Sequence, residues 1–116
     1  RIAEISKLFT QTGIITLAAF VSPTNALRTL ARDIIGAEDF AEIYVATPLE
    51  ECERRDVKGL YQKARRGEIR DFTGISAPFE APENPTLRID TTNRPVEEVT
   101  DEVLAAIIER ITPKNE

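Results

Sequence analysis

The sequence predicts an α/β fold in which a largely parallel sheet is flanked by helices. Short apolar runs of strand length occur at residues 14–20, 41–46 and 87–91, and stretches with helical periodicity separate them. Strands that alternate with helices usually pair in parallel, because the helix returns the chain to the same end of the sheet. With 116 residues, 41% of them hydrophobic, the chain is long enough for one small domain with a core.

The first two helices are predicted from apolar periodicity and from the glycines that follow them. The apolar positions are Ile2, Ile5, Leu8 and Phe9 in the first helix, and Leu27, Leu30, Ile34 and Ile35 in the second. Gly13 and Gly36 come directly after these faces, and glycine is favoured at a helix end because it adopts positive φ without strain. We therefore expect one helix before the first strand and another between the first and second strands.

Proline residues mark the starts of the later helices. Thr47, Pro48 and Glu50 form a capping-box pattern with Pro at the first helical position, so a helix is predicted from the end of the second strand to about Arg55. Pro95 starts the last helix, which we assign a structural role on the sheet. Its apolar positions are Val96, Val99, Val103 and Ile107.

Positive charge is concentrated at residues 58–70 of an otherwise acidic chain, whose net charge is −5. The basic residues of this segment are Lys58, Lys63, Arg65, Arg66 and Arg70. Such a cluster attracts phosphate or sulfate without making the protein a general nucleic-acid binder. A solvated helix face is the alternative, and most charge clusters are of that kind. The neighbouring ring of Phe72, which could stack on a purine, and the glycines of the segment favour a lid that closes on an anionic ligand.

Composition disfavours several other classes of protein. A single cysteine, Cys52, and the absence of histidine exclude an internal disulfide framework and disfavour a metal or reactive-thiol site. No apolar run approaches the roughly 20 residues that span a bilayer, and no signal peptide is recognised. We expect a cytoplasmic protein with neither a membrane nor a nucleic acid as a partner.

The sequence KGLYQKARRGEIRDFTGISAPFEAPENP, residues 58–85, resembles the lid and substrate-binding region of adenylylsulfate (APS) kinases. The resemblance includes FVSP at residues 20–23 and YVATPLEECERRDVKGLY at residues 44–61, and it extends to about residue 111. It implies a P-loop-kinase-like fold. It also implies transfer of the γ-phosphoryl group of ATP, bound with Mg²⁺, to the 3′-hydroxyl of adenylylsulfate, which gives 3′-phosphoadenylylsulfate (PAPS).

The resemblance also implies roles for individual residues. Phe72 matches the aromatic residue that stacks on the adenine of adenylylsulfate, and Arg55 matches a helix-end arginine that contacts ATP, whereas Arg54 is expected to face solvent. The other residues matched to the adenylylsulfate site are Lys58, Gly59, Leu60 and Thr73, and the lid candidates for contact with the transferred phosphate are Arg65 and Arg66.

Ser22 follows the first predicted strand, where open α/β sheets place ligand chemistry. From the residues alone, the favoured role of Ser22 is the N-cap of the second helix, with Pro23 at the first helical position. The resemblance adds a role as an active-site serine that is phosphorylated in some relatives, and both roles can hold. The family pattern SPYRADR reads SPTNALR here, so Asn25 replaces an arginine, and Arg28 could partly substitute if its side chain turns inward. Ala46 likewise replaces a common Asp.

Two motifs of the family are not found in these 116 residues, namely the GxxxxGK[ST] phosphate loop and the DGD segment. We therefore expect residues 1–116 to be the C-terminal part of a single kinase-like domain, inactive alone, with a lid segment at about residues 56–85 and the Mg²⁺ ligands elsewhere. The alternatives are a non-catalytic nucleotide-binding or protein-interaction module that has lost its phosphate loop, and a kinase for another adenylate-like acceptor. The complete set of lid residues disfavours the module. The resemblance further implies a homodimer and fusion to, or association with, ATP sulfurylase.

Overall fold

A computed structural model of the chain describes residues 1–113. Within this range the helices are α1 (Ile2–Gln11), α2 (Asn25–Ile35), α3 (Leu49–Arg55), α4 (Leu60–Arg65) and α5 (Val96–Ile111), with a 3₁₀ turn at Ala37–Asp39. The strands are β1 (Ile43–Val45) and β2 (Leu87–Ile89). Among the described residues, no helix is both long enough and apolar enough to cross a membrane.

The two strands pair in parallel, with Ile43 opposite Leu87 and Val45 opposite Ile89. The prediction of a parallel α/β arrangement is confirmed, and so are the second and third predicted strands, although each is shorter than its apolar run. Ile89 is buried with 2% of its surface exposed, and α5 packs against β2 as predicted. The connection from β1 to β2 contains α3, α4 and the lid segment. These elements therefore follow the carboxyl end of β1 in the chain.

The strand predicted at residues 14–20 is wrong. This segment has no strand partner among residues 1–113, and all of its side chains are exposed, with Leu17 at 86% and Phe20 at 62%. A strand forms only where a neighbouring backbone completes its hydrogen bonds, so an apolar run alone does not define one. Correspondingly, α1 and α2 pack on each other, but apolar side chains of α1 such as Leu8 stay exposed.

The N-cap of α2 is Thr24, so the predicted cap at Ser22 is wrong. The Thr24 hydroxyl accepts a hydrogen bond from the Leu27 amide at 3.2 Å, and Thr24 has the extended backbone of an N-cap residue. The predicted end of α2 is confirmed, because Gly36 follows with φ of 102°. Ser22 is therefore not required to begin this helix.

The capping box predicted at the start of α3 is also wrong, although the helix begins where it was expected. Pro48 precedes Leu49, the first residue of α3, and no side chain caps the helix. The Thr47 hydroxyl lies instead 2.7 Å from the hydroxyl of Thr91, which follows β2. A partner 44 positions away in sequence has displaced the local one, and this contact joins the carboxyl ends of the two strands.

Candidate functional site

A cleft of about 600 Å³ lies beside the carboxyl ends of β1 and β2. Its residues come from the end of α3, the loop after β2 and the first turns of α5, and they are Glu51, Arg54, Arg55, Thr91, Asn93, Arg94, Pro95, Val96, Val99 and Thr100. We call it the strand-end cleft. Parallel α/β sheets bind ligands at this edge, because the loops that follow the strands converge there.

Arg55 is held over the strand ends by hydrogen bonds to the loop after β2. Its Nη1 donates to the Thr91 hydroxyl at 2.8 Å, and its Nη2 donates to the Thr91 carbonyl at 3.0 Å. The Thr91 amide in turn donates to the Thr47 hydroxyl at 3.1 Å. The arginine predicted to contact ATP therefore lines the cleft in a fixed orientation.

Glu51 links the two neighbouring arginines of α3. Its carboxylate accepts bonds from Arg54 Nη2 at 2.6 Å and from Arg55 Nε at 2.9 Å, and only 13% of its side chain is exposed. The Arg54 guanidinium, followed by that of Arg55, outweighs the opposing effect of burial and lowers the pKa of the Glu51 carboxyl to about 2. Arg54 is the more exposed of the two arginines, at 68% against 36%, as predicted.

The loop after β2 forms the opposite wall of the cleft and is braced by its own side chains. The Asp90 carboxylate accepts bonds from the Thr92 amide at 2.8 Å and the Thr92 hydroxyl at 2.6 Å, which hold the pKa of Asp90 below its usual value. Arg94 donates to Glu98 at 3.1 Å and also pairs with Glu102 on the next turn of α5. This wall was not predicted from the sequence, although polar residues directly after a parallel strand were the available signal.

The lid segment begins with a turn that contains Lys58 and Gly59 and leads into Leu60, the first residue of α4; all three are predicted substrate residues. Asp56 fixes this turn, because its two carboxylate oxygens accept the Tyr61 amide at 2.9 Å and the Gln62 amide at 3.1 Å, the first free amides of α4. Gly59 adopts the left-handed conformation with φ of 69°. Lys58 is exposed, and Leu60 is 38% exposed.

Phe72 lies in a tight loop of the lid segment and is half-buried. Its ring packs edge-on against Tyr61 with the centroids 5.1 Å apart, and burial is the main cause that raises the pKa of Tyr61. The Phe72 amide donates to the Ser76 hydroxyl at 2.8 Å. Thr73, also half-buried, forms an isolated bridge with Ala77. The structure therefore places Phe72 and Thr73 in one ordered turn, in which both residues are only partly buried.

The lid cations are not part of the strand-end cleft in this conformation. Arg65 Nε pairs with Glu53 of α3 at 2.6 Å, and Arg66 pairs with Glu68 at 3.7 Å. Within residues 1–113, no ion pair is formed by Lys58, Lys63 or Arg70. The charge of the lid is thus largely available to a ligand.

Arg28 turns inward, but its guanidinium is occupied by the protein. It donates to the carbonyl oxygens of Ser22 and Glu80 and to Asn25 Oδ1, the last at 2.6 Å. The expectation that Arg28 replaces the family's missing arginine at a ligand is therefore not supported by this conformation. Ser22 itself is half-buried, and its carbonyl is one of the groups that Arg28 holds.

Comparison with known proteins gives consistent matches. The sequence profile described as adenylylsulphate kinase matches residues 1–90. The chain is 63% identical over 116 residues to the adenylyl-sulfate kinase of Phocaeicola vulgatus and 59% identical over 114 residues to that of Bacteroides thetaiotaomicron. These matches cover 100% and 98% of the chain but 57% of each relative, so the chain spans little more than half of their length.

Solved structures give the same result for the fold. The structure of the Mycobacterium tuberculosis APS kinase CysC in complex with AMPPNP and APS superposes with a TM-score of 0.86 at 41% identity. The match covers 93% of this chain and 63% of that one. The predicted kinase-like α/β fold is therefore confirmed.

Proposed function

Because the chain belongs to the adenylylsulphate kinase family, we propose that the gene product containing it transfers the γ-phosphoryl group of ATP to adenylylsulfate, giving ADP and PAPS. One structural observation supports the proposal. The helix α3 ends at Arg55 on the strand-end cleft, and the lid segment starts at the next residue, Asp56. Phosphoryl transfer depends mainly on holding two substrates in line, and a single helix that adjoins both sites suits that task.

The strand-end cleft is suited to the base and ribose of ATP. Pro95, Val96 and Val99 offer an apolar surface, and Arg55 offers a planar cation whose orientation Thr91 already fixes. A mostly apolar cleft with a few oriented polar groups is the usual form of a nucleotide site. This arrangement supports Arg55 as the residue of this chain that contacts ATP.

The lid segment is suited to adenylylsulfate, which carries a purine and a sulfated phosphate. Phe72 supplies a ring for stacking, and Lys58, Gly59, Leu60 and Thr73 form the remainder of the proposed site. The Arg65 and Arg66 side chains are themselves exposed, and ion pairs of exposed arginines are weak enough to exchange a carboxylate for a phosphate oxygen. Closure of the lid would then place cationic charge beside the transferred group and exclude water.

Mg²⁺ accompanies ATP in the proposed reaction, and the described residues supply no cluster of protein ligands for it. Within residues 1–113 there is no group of three or more His, Cys, Asp or Glu side chains that could hold a metal ion. The contributions of this chain are binding, orientation and charge.

Several finer features belong to the same proposal and are supported by family resemblance. They are an active-site role for Ser22, a lid that spans residues 56–85, a single kinase domain of which residues 1–116 form the C-terminal part, a homodimer, association with ATP sulfurylase, and a location in the cytoplasm.

The experiment that tests the function measures APS-dependent ADP release by the gene product containing this chain. Phe72→Ala should raise KM for adenylylsulfate about tenfold, since stacking of a base on an aromatic ring contributes about 1–3 kcal/mol. KM for ATP should change by less than about twofold, because Phe72 does not line the strand-end cleft.

Phe72→Tyr, which keeps the ring, is the matched control and should stay close to wild type. Absence of APS-dependent ADP release by the wild-type protein would overturn the proposed function. If Phe72→Ala changed both KM values equally, the stacking role would be wrong while the activity stood.

A further inference from the structure

Arg28 is the only charged side chain that is buried within residues 1–113, with 9% of its surface exposed. No carboxylate among those residues lies within ion-pair distance of it. Burial of an arginine costs free energy. Here carbonyl and amide oxygens rather than an opposite charge offset part of that cost, while the Arg28 Nε is buried without a hydrogen-bond partner within residues 1–113. A residue whose only task was to fill space at this position could be apolar. The hydrogen bonds of Arg28 therefore indicate a role beyond filling space.

Those hydrogen bonds join two segments that are far apart in sequence. Arg28 donates to the Glu80 carbonyl, the Glu80 amide donates to the Pro23 carbonyl at 2.7 Å, and the Asn25 amide donates to Glu80 Oε1 at 2.9 Å. The Arg28 guanidinium also lies 5.4 Å from the centre of the Phe79 ring. We call Pro23, Asn25, Arg28, Phe79 and Glu80 the Arg28 latch.

The latch is attached to the sheet as well as to α2. The Phe79 ring, which the guanidinium covers, stacks on Tyr44 of β1 with the centroids 6.0 Å apart. Because Arg28 also holds the Ser22 carbonyl, the turn before α2 and residues 79–80 are fixed together against the first strand. The latch thus fixes residues 79–80 of the lid segment to α2 and β1.

Between Phe72 and the latch the chain has little freedom. The Phe72 carbonyl accepts the amides of Ile75, Ser76 and Ala77 at 2.9 to 3.0 Å, so these residues turn as one unit, and the latch begins two residues later. The other end of the lid segment is fixed by Asp56. A displacement of residues 79–80 would therefore be transmitted to the ring of Phe72.

We propose that Arg28 is a positioning residue for adenylylsulfate, which it does not touch: it sets the position of Phe72 by holding residues 79–80 of the lid segment to Ser22 and β1. This inference deepens the proposed function and rests on it. Lysine cannot replace Arg28, because a single ammonium group lacks the planar fork that reaches several acceptors in fixed directions.

The test compares Arg28→Lys with Thr29→Ala, a control at the neighbouring exposed position of α2, in the gene product containing this chain. Arg28→Lys should raise KM for adenylylsulfate about tenfold, as misplacement of a substrate-binding group commonly does, and leave KM for ATP within about twofold. Hydrogen exchange of the Glu80 amide should become faster. Thr29→Ala should match the wild type in all three measurements.

The outcomes separate this inference from the function on which it rests. If the wild type shows no APS-dependent ADP release, the proposed function fails. If the wild type is active but Arg28→Lys raises both KM values together, or only lowers the unfolding temperature, Arg28 is a structural residue and the inference is overturned. If Arg28→Lys does not fold, Glu80→Ala replaces it, because this variant removes only the acceptor of the Asn25 amide. Glu80→Ala should raise KM for adenylylsulfate by less than the rise expected for Arg28→Lys. No rise in this KM would also overturn the inference.

Discussion

The strand-end cleft and the lid segment both contain several cationic side chains, but they hold them differently. In the cleft, Arg54 and Arg55 share Glu51, and Arg94 pairs with two glutamates of α5. In the lid, no ion pair is formed by Lys58, Lys63 or Arg70 within the described residues. The cleft is thus organised before a ligand arrives, whereas the lid keeps its charge available.

This difference has a consequence for binding. A site whose side chains are already ordered loses little conformational entropy when its ligand binds, whereas cationic side chains without partners must be ordered by the ligand itself. The cleft should therefore respond mainly to the loss of individual hydrogen bonds. The lid should respond mainly to the ionic environment.

Arg55→Ala should produce the largest effect, and Arg54→Ala is its matched control. Arg55 makes two hydrogen bonds to Thr91 and Arg54 makes none, so only Arg55→Ala releases the loop after β2 from α3. We expect KM for ATP to rise about tenfold or more, in line with the loss of hydrogen bonds to a charged group. For Arg54→Ala we expect a change of no more than about twofold.

Steady-state kinetics with ATP as the varied substrate checks this prediction. Similar losses in both variants would show that the charge of the α3 terminus matters and that the contact with Thr91 does not. A rise confined to KM for adenylylsulfate would show that Arg55 belongs functionally to the lid.

Salt should distinguish the two regions by a smaller amount. Exposed, unpaired cations act through solvent and are screened beyond about 10 Å at 0.1 M ionic strength, so added NaCl should raise KM for adenylylsulfate about threefold. KM for ATP should rise less, because the cleft cations are already neutralised. The Lys63→Gln variant should show a flatter dependence for adenylylsulfate than wild type. Equal dependence for the two substrates would remove the distinction between cleft and lid.

The parts of the fold that the sequence predicted correctly depend on local signals. The helix α5 follows Pro95, and α2 ends before Gly36, because proline and glycine restrict or permit backbone angles wherever they occur. The strand predicted at residues 14–20 was wrong because pairing depends on a second segment, which no local pattern encodes. The error at Thr47 has the same origin, since its partner Thr91 is distant in sequence.

The same distinction applies to the candidate site. Phe72 and the lid cations form a continuous motif, so the sequence was sufficient to propose them. The latch built on Arg28 requires residues that only the fold brings together, whereas the pairs of Arg94 with Glu98 and Glu102 are local in sequence. Glu80, for example, lies 52 positions from Arg28, and nothing in its own neighbourhood marks it as a partner.

The smallest expected effect is a pH dependence of stability that originates in the cleft. The pKa of Glu51 is about 2 in the folded protein, below its ordinary value of 4.5, so the unfolded state binds this proton more readily. The stabilising effect of the Glu51 pairs is therefore complete above about pH 4.5 and disappears as the pH falls through about 2. Thermal unfolding of wild type and Glu51→Gln should differ at pH 6 and converge toward pH 2. The exposed pair of Arg66 with Glu68 should contribute much less to stability, so Glu68→Gln serves as the control. If the unfolding temperatures of wild type and Glu68→Gln differed at pH 6 by as much as those of wild type and Glu51→Gln, and converged in the same way toward pH 2, the cleft and lid pairs would be equivalent.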